Sequence, residues 1–233
     1  MAIIVGDIHG DIEKTRTFLA YRPDEEHVAL GDYLDSFSIR VEQQLECLNL
    51  LINSDAVLLL GNHEVHYLKE PLFQFAGYNF DHAPMFQEIL EANIQRFKVA
   101  YAVDGWLCTH AGVKSQYTER ESDVSVLAEM FNRSWNVYLK ERLVDQEARY
   151  TYQSIFEFNY CMWVEGNLLP ENIRQIFGHV EHMRPIIEPH YIALDTTNNC
   201  NSCWIYDTAT SELVPLPMET KIGRVRFQGG GWM

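Results

Sequence analysis

An α/β fold is what this sequence predicts, and three observations predict it. Four apolar runs, Ala2 to Val5, Val28 to Leu30, Ala56 to Leu60 and Trp106 to Cys108, each end in a short polar loop that carries Gly with Asp, Asn or His. Segments of helical spacing follow the first three runs, the rhythm of parallel strands joined by crossover helices. The final third instead alternates short strand-like stretches with turns, which predicts a mostly antiparallel second sheet.

After the first run, Asp11 to Tyr21 has an acidic start and apolar residues Ile12, Phe18 and Leu19 at helical spacing, the first crossover helix. Val28 to Gly31 leads into a helix from about Ile39 to Ile52, with Val41, Leu45, Leu48 and Ile52 on one face. Ala56 to Gly61 leads into a short helix beginning near His63. Parallel strands connected in this way gather their functional loops at the carboxyl ends.

The middle breaks the rhythm. Glu70 to Phe97 is rich in aromatics, contains Gly77 and Pro84, and turns helical from about Pro84. Val113 to Pro170 has helical periodicity from Val124 to Leu143, then aromatics at Tyr150, Tyr152, Phe156, Phe158, Tyr160 and Trp163. Both stretches read as insertions in one domain of residues 1–233, at about 70–97 and 113–170, with aromatics that pack among themselves and are placed to wall a site. Strands follow at Ile173 to Phe177, Tyr191 to Leu194, Cys203 to Tyr206, Glu212 to Pro215 and Arg224 to Phe227, before a tail ending Gly229-Gly230-Gly231-Trp232-Met233 that is expected to be mobile.

With 233 residues, 47% of them apolar, the chain can bury the core of one ordinary domain. Its 18 basic and 33 acidic residues leave a net charge of -15, which disfavours generic binding to nucleic acid backbones or anionic membranes. No stretch approaches the ~18 apolar residues of a membrane span, and Met1 to Gly6 reads as a strand entering a loop, not a signal peptide. Five cysteines, at 47, 108, 161, 200 and 203, form no disulfide framework, so a cytoplasmic location is expected. Cys200-Asn201-Ser202-Cys203 lacks a second pair to close a zinc site and reads as a turn that sends Cys203 into the core.

The polar loops carry the chemistry: Gly6-Asp7-Ile8-His9-Gly10, Gly31-Asp32-Tyr33-Leu34-Asp35, Gly61-Asn62-His63-Glu64, Thr109-His110-Ala111-Gly112 and Gly178-His179. Asp, Asn and His together suit two borderline divalent ions such as manganese, iron or zinc, bridged by one carboxylate and open to water. This predicts a binuclear metallohydrolase.

In order and over nearly the whole chain, these motifs resemble the calcineurin-like metallophosphoesterases, and specifically the phage and bacterial serine/threonine phosphoprotein phosphatases. The resemblance implies a four-layered αββα sandwich with two metals at the strand ends. Asp7 and His9 would hold the first metal, Asp32 would bridge, and Asn62, His110 and His179 would complete the second. His63, oriented by Asp35, would be the acid for the leaving group. A hydroxide shared by the ions would attack phosphorus directly, without a covalent enzyme intermediate. Glu64 fits a helix start that braces a ligand, and Asp195 a loop support near His179. His27, His66, His82, His182 and His190 stand outside the matching motifs and read as ordinary surface or core residues.

Two departures bear on substrate. The family pattern continues Asp-Arg-Gly, with the Arg clamping phosphate, whereas Asp35 is followed by Ser36-Phe37. Trp163-Val164-Glu165 stands where relatives bring in a further Arg. Arg40 and Arg184 are the candidates to replace the clamp, with Arg133 a further one. The expected function is hydrolysis of phosphomonoesters, protein phosphatase-like, with two manganese ions and a phosphorylated protein, small phosphate ester or nucleotide as substrate. The alternatives are a symmetrical dinucleoside polyphosphate hydrolase of the diadenosine tetraphosphate type and a catalytically degenerate scaffold that binds a protein partner.

Overall fold

Alternation along the strands decides which layers form. The computed structural model describes residues 1–74, 77–145, 147, 152, 169–196 and 202–218. Its strands are β1 (Ala2–Val5), β2 (Glu26–Ala29), β3 (Val57–Leu59), β4 (Phe97–Lys98), β5 (Ala100–Val103), β6 (Trp106–Thr109), β7 (Gln175–Phe177), β8 (Ile186–Ile187), β9 (Tyr191–Ala193), β10 (Ser202–Asp207) and β11 (Glu212–Pro217). The helices are α1 (Ile12–Ala20), α2 (Val41–Ile52), α3 (Asn62–Val65), α4 (Ala83–Ala92), α5 (Ser115–Thr118) and α6 (Val124–Glu141). One sheet runs β11-β10-β1-β2-β3-β4 and the other β5-β6-β7-β9-β8.

Ala2, Ile4, Val28, Leu30 and Leu59 from the first sheet meet Trp106, Cys108, Ile176, Ile192 and Leu194 from the second in one buried cluster. The intervening Ile3, Val5, Ala29, Leu58 and Leu60 belong to a separate core with Phe18, Leu48 and Leu51 of α1 and α2. On the second sheet, Ala100 and Leu107 share that outer burial with Leu127 and Phe131 of α6, which packs against β5 and β6. The order is helix, sheet, sheet, helix, the αββα sandwich expected.

Local chemistry sets the helix limits. Asp11 caps α1, accepting from Glu13 N and Lys14 N at 3.1 Å. Asp123 caps α6, whose Leu127, Phe131, Trp135 and Tyr138 form one buried stripe. Each of those side chains contributes roughly 1.5–3 kcal/mol by leaving water. Asn132 fastens α6 to the sheet: its Oδ1 accepts from Val99 N at 3.0 Å and its Nδ2 donates to Ala100 O at 2.8 Å. Pro84 sits in the first turn of α4, where its missing N–H costs nothing.

The prediction for the final third needs correction. β10 and β11 extend the first sheet, with β10 antiparallel to β1. β7 lies parallel to both β6 and β9. Period-two alternation identifies a strand but not its partner, and β10 goes to β1 because Ile205 and Tyr206 then bury on opposite faces, one in each core. The short β4, β5 and β8 carried too little alternation to be read from sequence. Cys47, Cys108 and Cys203 are buried free thiols. Among the described residues no helix is long and apolar enough to cross a membrane. Tyr150, Phe156, Phe158, Tyr160, the Trp163 to Glu165 stretch, Cys161, Cys200, the strand expected at Arg224 to Phe227 and the glycine tail lie outside the described residues.

Candidate metal centre

Every predicted site loop leaves the carboxyl end of a strand. Asp7 and His9 follow β1, Asp32 and Asp35 follow β2, Asn62 and His63 open α3 after β3, and His110 and His179 follow β6 and β7. The turns are sharp: His9, Asp32, Asp35 and His179 have φ of 46, 51, 61 and 67°, left-handed backbone that costs a residue with a Cβ roughly 1–3 kcal/mol. Hydrogen bonds hold them there. Ile8 N and His9 N donate to Asp32 O at 3.0 and 2.7 Å, and Gly178 N donates to His110 O at 2.7 Å. Gly61 and Gly178 are required by close approach, since a Cβ on either would overlap the carboxylate of Asp32 or of Asp7 respectively.

Glu64 locks the second loop to the third. Its buried carboxylate accepts from Asp32 N (2.9 Å), Tyr33 N (2.7 Å), Leu34 N (3.2 Å) and Gly61 N (3.0 Å). The bracing role expected for Glu64 is therefore directed at the backbone around Asp32.

Ring tautomers follow from the carbonyls. His9 Nδ1 lies 2.7 Å from Leu34 O and His110 Nδ1 3.0 Å from Leu30 O, so each Nδ1 carries a proton and each Nε2 a lone pair. His110 Nε2 stands 2.8 Å from Asn62 Oδ1, 3.2 Å from His179 Nδ1 and 3.5 Å from Asp32 Oδ2. His179 Nδ1 is 3.0 Å from Asn62 Oδ1. Burial pushes His9 and His110 below the usual imidazole range and His179 down to about 3, leaving the rings neutral. Lone pairs converging on one point from neutral nitrogens, an amide oxygen and a carboxylate fit a cation.

Ligand atoms of Asp32, His110 and His179 all lie within 4.8 Å of one another, and so do those of His9, Asp32 and His63. Asp32 belongs to both groups. Burial works to raise its pKa, but the imidazoles of His110, His63, His9 and His179 hold its carboxyl well below the usual range. Asp7, in contrast, is pushed well up by burial and then by the neighbouring Asp195 and Asp32 carboxylates.

A family model described as calcineurin-like phosphoesterase matches residues 2–181. The chain belongs to that family. A serine/threonine-protein phosphatase of Caenorhabditis elegans is 30% identical over an alignment of 141 residues that covers 55% of this chain and 30% of the relative. The chain thus spans less than a third of the length of the curated relative it matches. A cold-active protein tyrosine phosphatase superposes with a TM-score of 0.59 at 15% identity, covering 94% of this chain and 79% of that one. Another, from a psychrophilic Shewanella species, gives 0.56 at 14% identity over 92% and 80%. At these identities the likeness is one of fold.

Of the residues singled out from sequence, Asp32, Asn62, His110 and His179 meet as described. Asp7 stands outside the close groups: its carboxylate accepts from His179 N at 3.0 and 3.2 Å, and its carbonyl from the buried Lys14 ammonium. Asp195 is buried, and its carbonyl accepts from His182 N at 3.0 Å. His63 Nδ1 lies 2.9 Å from Asp35 Oδ2, and its Nε2 3.9 Å from Asp32 Oδ2. Burial opposes its charge, yet Asp32 and Asp35 raise the His63 pKa to about 9. Arg40 and Arg184 are exposed. At the position of the family's clamp, Ser36 accepts from Ile39 N at 3.2 Å, and Phe37 projects at 95% exposure.

Sequence reasoning set His66 aside and passed over Tyr67. His66 is fully buried with Nε2 2.7 Å from Asp35 Oδ2, and Tyr67 donates its hydroxyl to Asp35 Oδ1. The signal was spacing: His66 follows His63 by one helical turn, so both rings reach the same carboxylate. His27, whose ring meets the carbonyls of Glu25, Phe18 and Tyr21 at 2.9–3.1 Å, is a core residue as expected.

Proposed function

We propose that this phosphoesterase hydrolyses phosphate monoesters at a pair of divalent cations sharing Asp32. Asp7, His9 and Asp32 would hold one ion, and Asp32, Asn62, His110 and His179 the other. The observation that carries this reading is the common membership of Asp32 in two groups of converging ligand atoms. Bound there, the cations supply a water acidified to a pKa of about 7 and neutralise charge on the phosphoryl oxygens. Manganese suits the mixture of oxygen and imidazole donors.

The chain's own groups do the remaining work. Asp35 accepts from Nδ1 of His63, which fixes the ring so that Nε2 faces the Asp32 carboxylate. The proton on Nε2 passes to the ester oxygen as its bond to phosphorus breaks, and a pKa of about 9 keeps that proton in place at neutral pH. Glu64 keeps the Asp32 loop rigid through its four amide donors. A phosphorylated side chain is the substrate we assign, in line with a relative named as a serine/threonine-protein phosphatase. Among the described residues Cys47, Cys108 and Cys203 are buried free thiols, which supports a reducing, cytoplasmic setting.

Metal-stripped protein, reloaded with manganese, iron or zinc, should release phosphate from aryl phosphates and phosphopeptides only when metal is present. Turnover confined to dinucleoside polyphosphates would overturn the substrate assignment. No turnover of any phosphate ester with any of the three metals would overturn the enzyme reading in favour of a binding scaffold.

A further inference from the structure

We infer that His66 and Tyr67 are positioning residues that hold Asp35, and through it the imidazole of His63, in the orientation that protonates a leaving oxygen. This rests on the reading of His63 as the leaving-group acid. Three donors converge on the Asp35 carboxylate: His63 Nδ1 at 2.9 Å and His66 Nε2 at 2.7 Å on Oδ2, and the Tyr67 hydroxyl on Oδ1. Both oxygens are thereby engaged, and the carboxylate cannot rotate without breaking a hydrogen bond.

The two supports are themselves immobilised. His66 and Tyr67 are buried, the Tyr67 ring stacks on Tyr78 at 4.9 Å and meets Phe86 edge-on at 5.0 Å, and Asn79 N donates to the Tyr67 hydroxyl at 3.0 Å. His66 lies edge-on to Tyr67 at 4.2 Å. A short polar relay therefore runs from the Asn79 backbone through Tyr67 to Asp35 and on to His63. His66 reaches the same Asp35 oxygen as His63, and Tyr67, whose ionisation is suppressed by burial and by Asp35, donates to the other. Such support for a ring that already touches the reacting group acts through geometry, and a misplaced acid weakens proton transfer while leaving substrate binding alone.

Leaving-group dependence separates this role from a structural one. An ester whose departing oxygen is a weak base needs little protonation, whereas an alkoxide needs it most. Manganese-loaded wild type, His63→Ala, His66→Leu, His66→Gln and Tyr67→Phe are compared on aryl and alkyl phosphates of rising leaving-group pKa. His66→Leu should lose about ten-fold or more in kcat on alkyl phosphates, with little change on nitrophenyl phosphate and in KM. Tyr67→Phe should lose less in the same direction. His66→Gln, which returns an N–H near the Nε2 position, should recover part of the rate. If His66→Leu does not fold, the pattern in His66→Gln and Tyr67→Phe decides. Equal losses on every ester, or none, in the His66 and Tyr67 variants while His63→Ala loses most on alkyl phosphates would overturn the positioning role alone. No such selectivity in His63→Ala would overturn the acid assignment itself, and the positioning role with it.

Discussion

Asp32 owes its character to the rings around it. A buried carboxylate would ordinarily become harder to ionise, yet four imidazoles surround this one and hold it charged. Asp32→Asn keeps the shape and removes the charge, so it should lower metal affinity by several orders of magnitude and remove metal-dependent turnover, both readable by titration with manganese. His63 shows the opposite balance: burial lowers its pKa, but Asp32 and Asp35 lift it to about 9. A folded pKa above the unfolded 6.5 means that the His63 pairing stabilises fully below about pH 6.5 and is lost as pH rises through about 9. Asp35→Asn removes one of the two charges, so the alkaline limb of its kcat profile should move to lower pH. In metal-free protein, the stability gap between wild type and Asp35→Asn should be widest below pH 6.5 and narrow towards pH 9, as followed by urea unfolding. His63→Ala should cost about 10²–10⁴ in kcat on alkyl phosphates. These residues were legible before any coordinates because each ends an apolar run. His66 was not, since its one-turn spacing from His63 says that the two rings share a face but not which group they meet there.

Helix α3 is only one turn long, yet it joins two loops. Asn62 and His63 open it towards the metal centre, and Glu64 turns back to take four backbone N–H groups from the β2 and β3 loops. Glu64→Ala would leave those buried donors without an acceptor, each worth about 1–3 kcal/mol, so a loss of several kcal/mol in denaturant unfolding is expected. Glu64→Gln keeps one acceptor oxygen and should lose less. Gly178 is set against the Asp7 carboxylate as Gly61 is against Asp32. Gly178→Ala should weaken metal binding more than it weakens the fold, because the group it displaces, the Asp7 carboxylate, is one of the proposed ligands. The strand ends and long helices could be read from periodicity: β1 is matched residue for residue and α6 to within two residues at its end. The pairing of β10 with β1 could not, because a strand's alternation says which face is buried and not which neighbour supplies the hydrogen bonds.

The two sheets serve one end of the molecule. Asp7, Asp32, Asn62 and His63 come from the first, His110 and His179 from the second, so the centre closes only when the sheets pack through Ile4, Leu30, Cys108 and Ile176. With the proposed ligands drawn from both sheets, stripping the ions should lower Tm, and free metal at 100 times its Kd should restore roughly 2.7 kcal/mol. The acidic balance of the chain, net -15, fits a centre that concentrates cations. The sandwich was anticipated from ordered motifs. The phosphate-binding group was not, because Ser36 and Phe37 stand at the position where the family pattern places its arginine. The most direct test of the shared carboxylate is electron paramagnetic resonance of the manganese-loaded protein. Two exchange-coupled ions in the wild type, with the coupling lost in Asp32→Asn, are what the arrangement predicts. A spectrum of isolated ions in the wild type, at any loading, would contradict it.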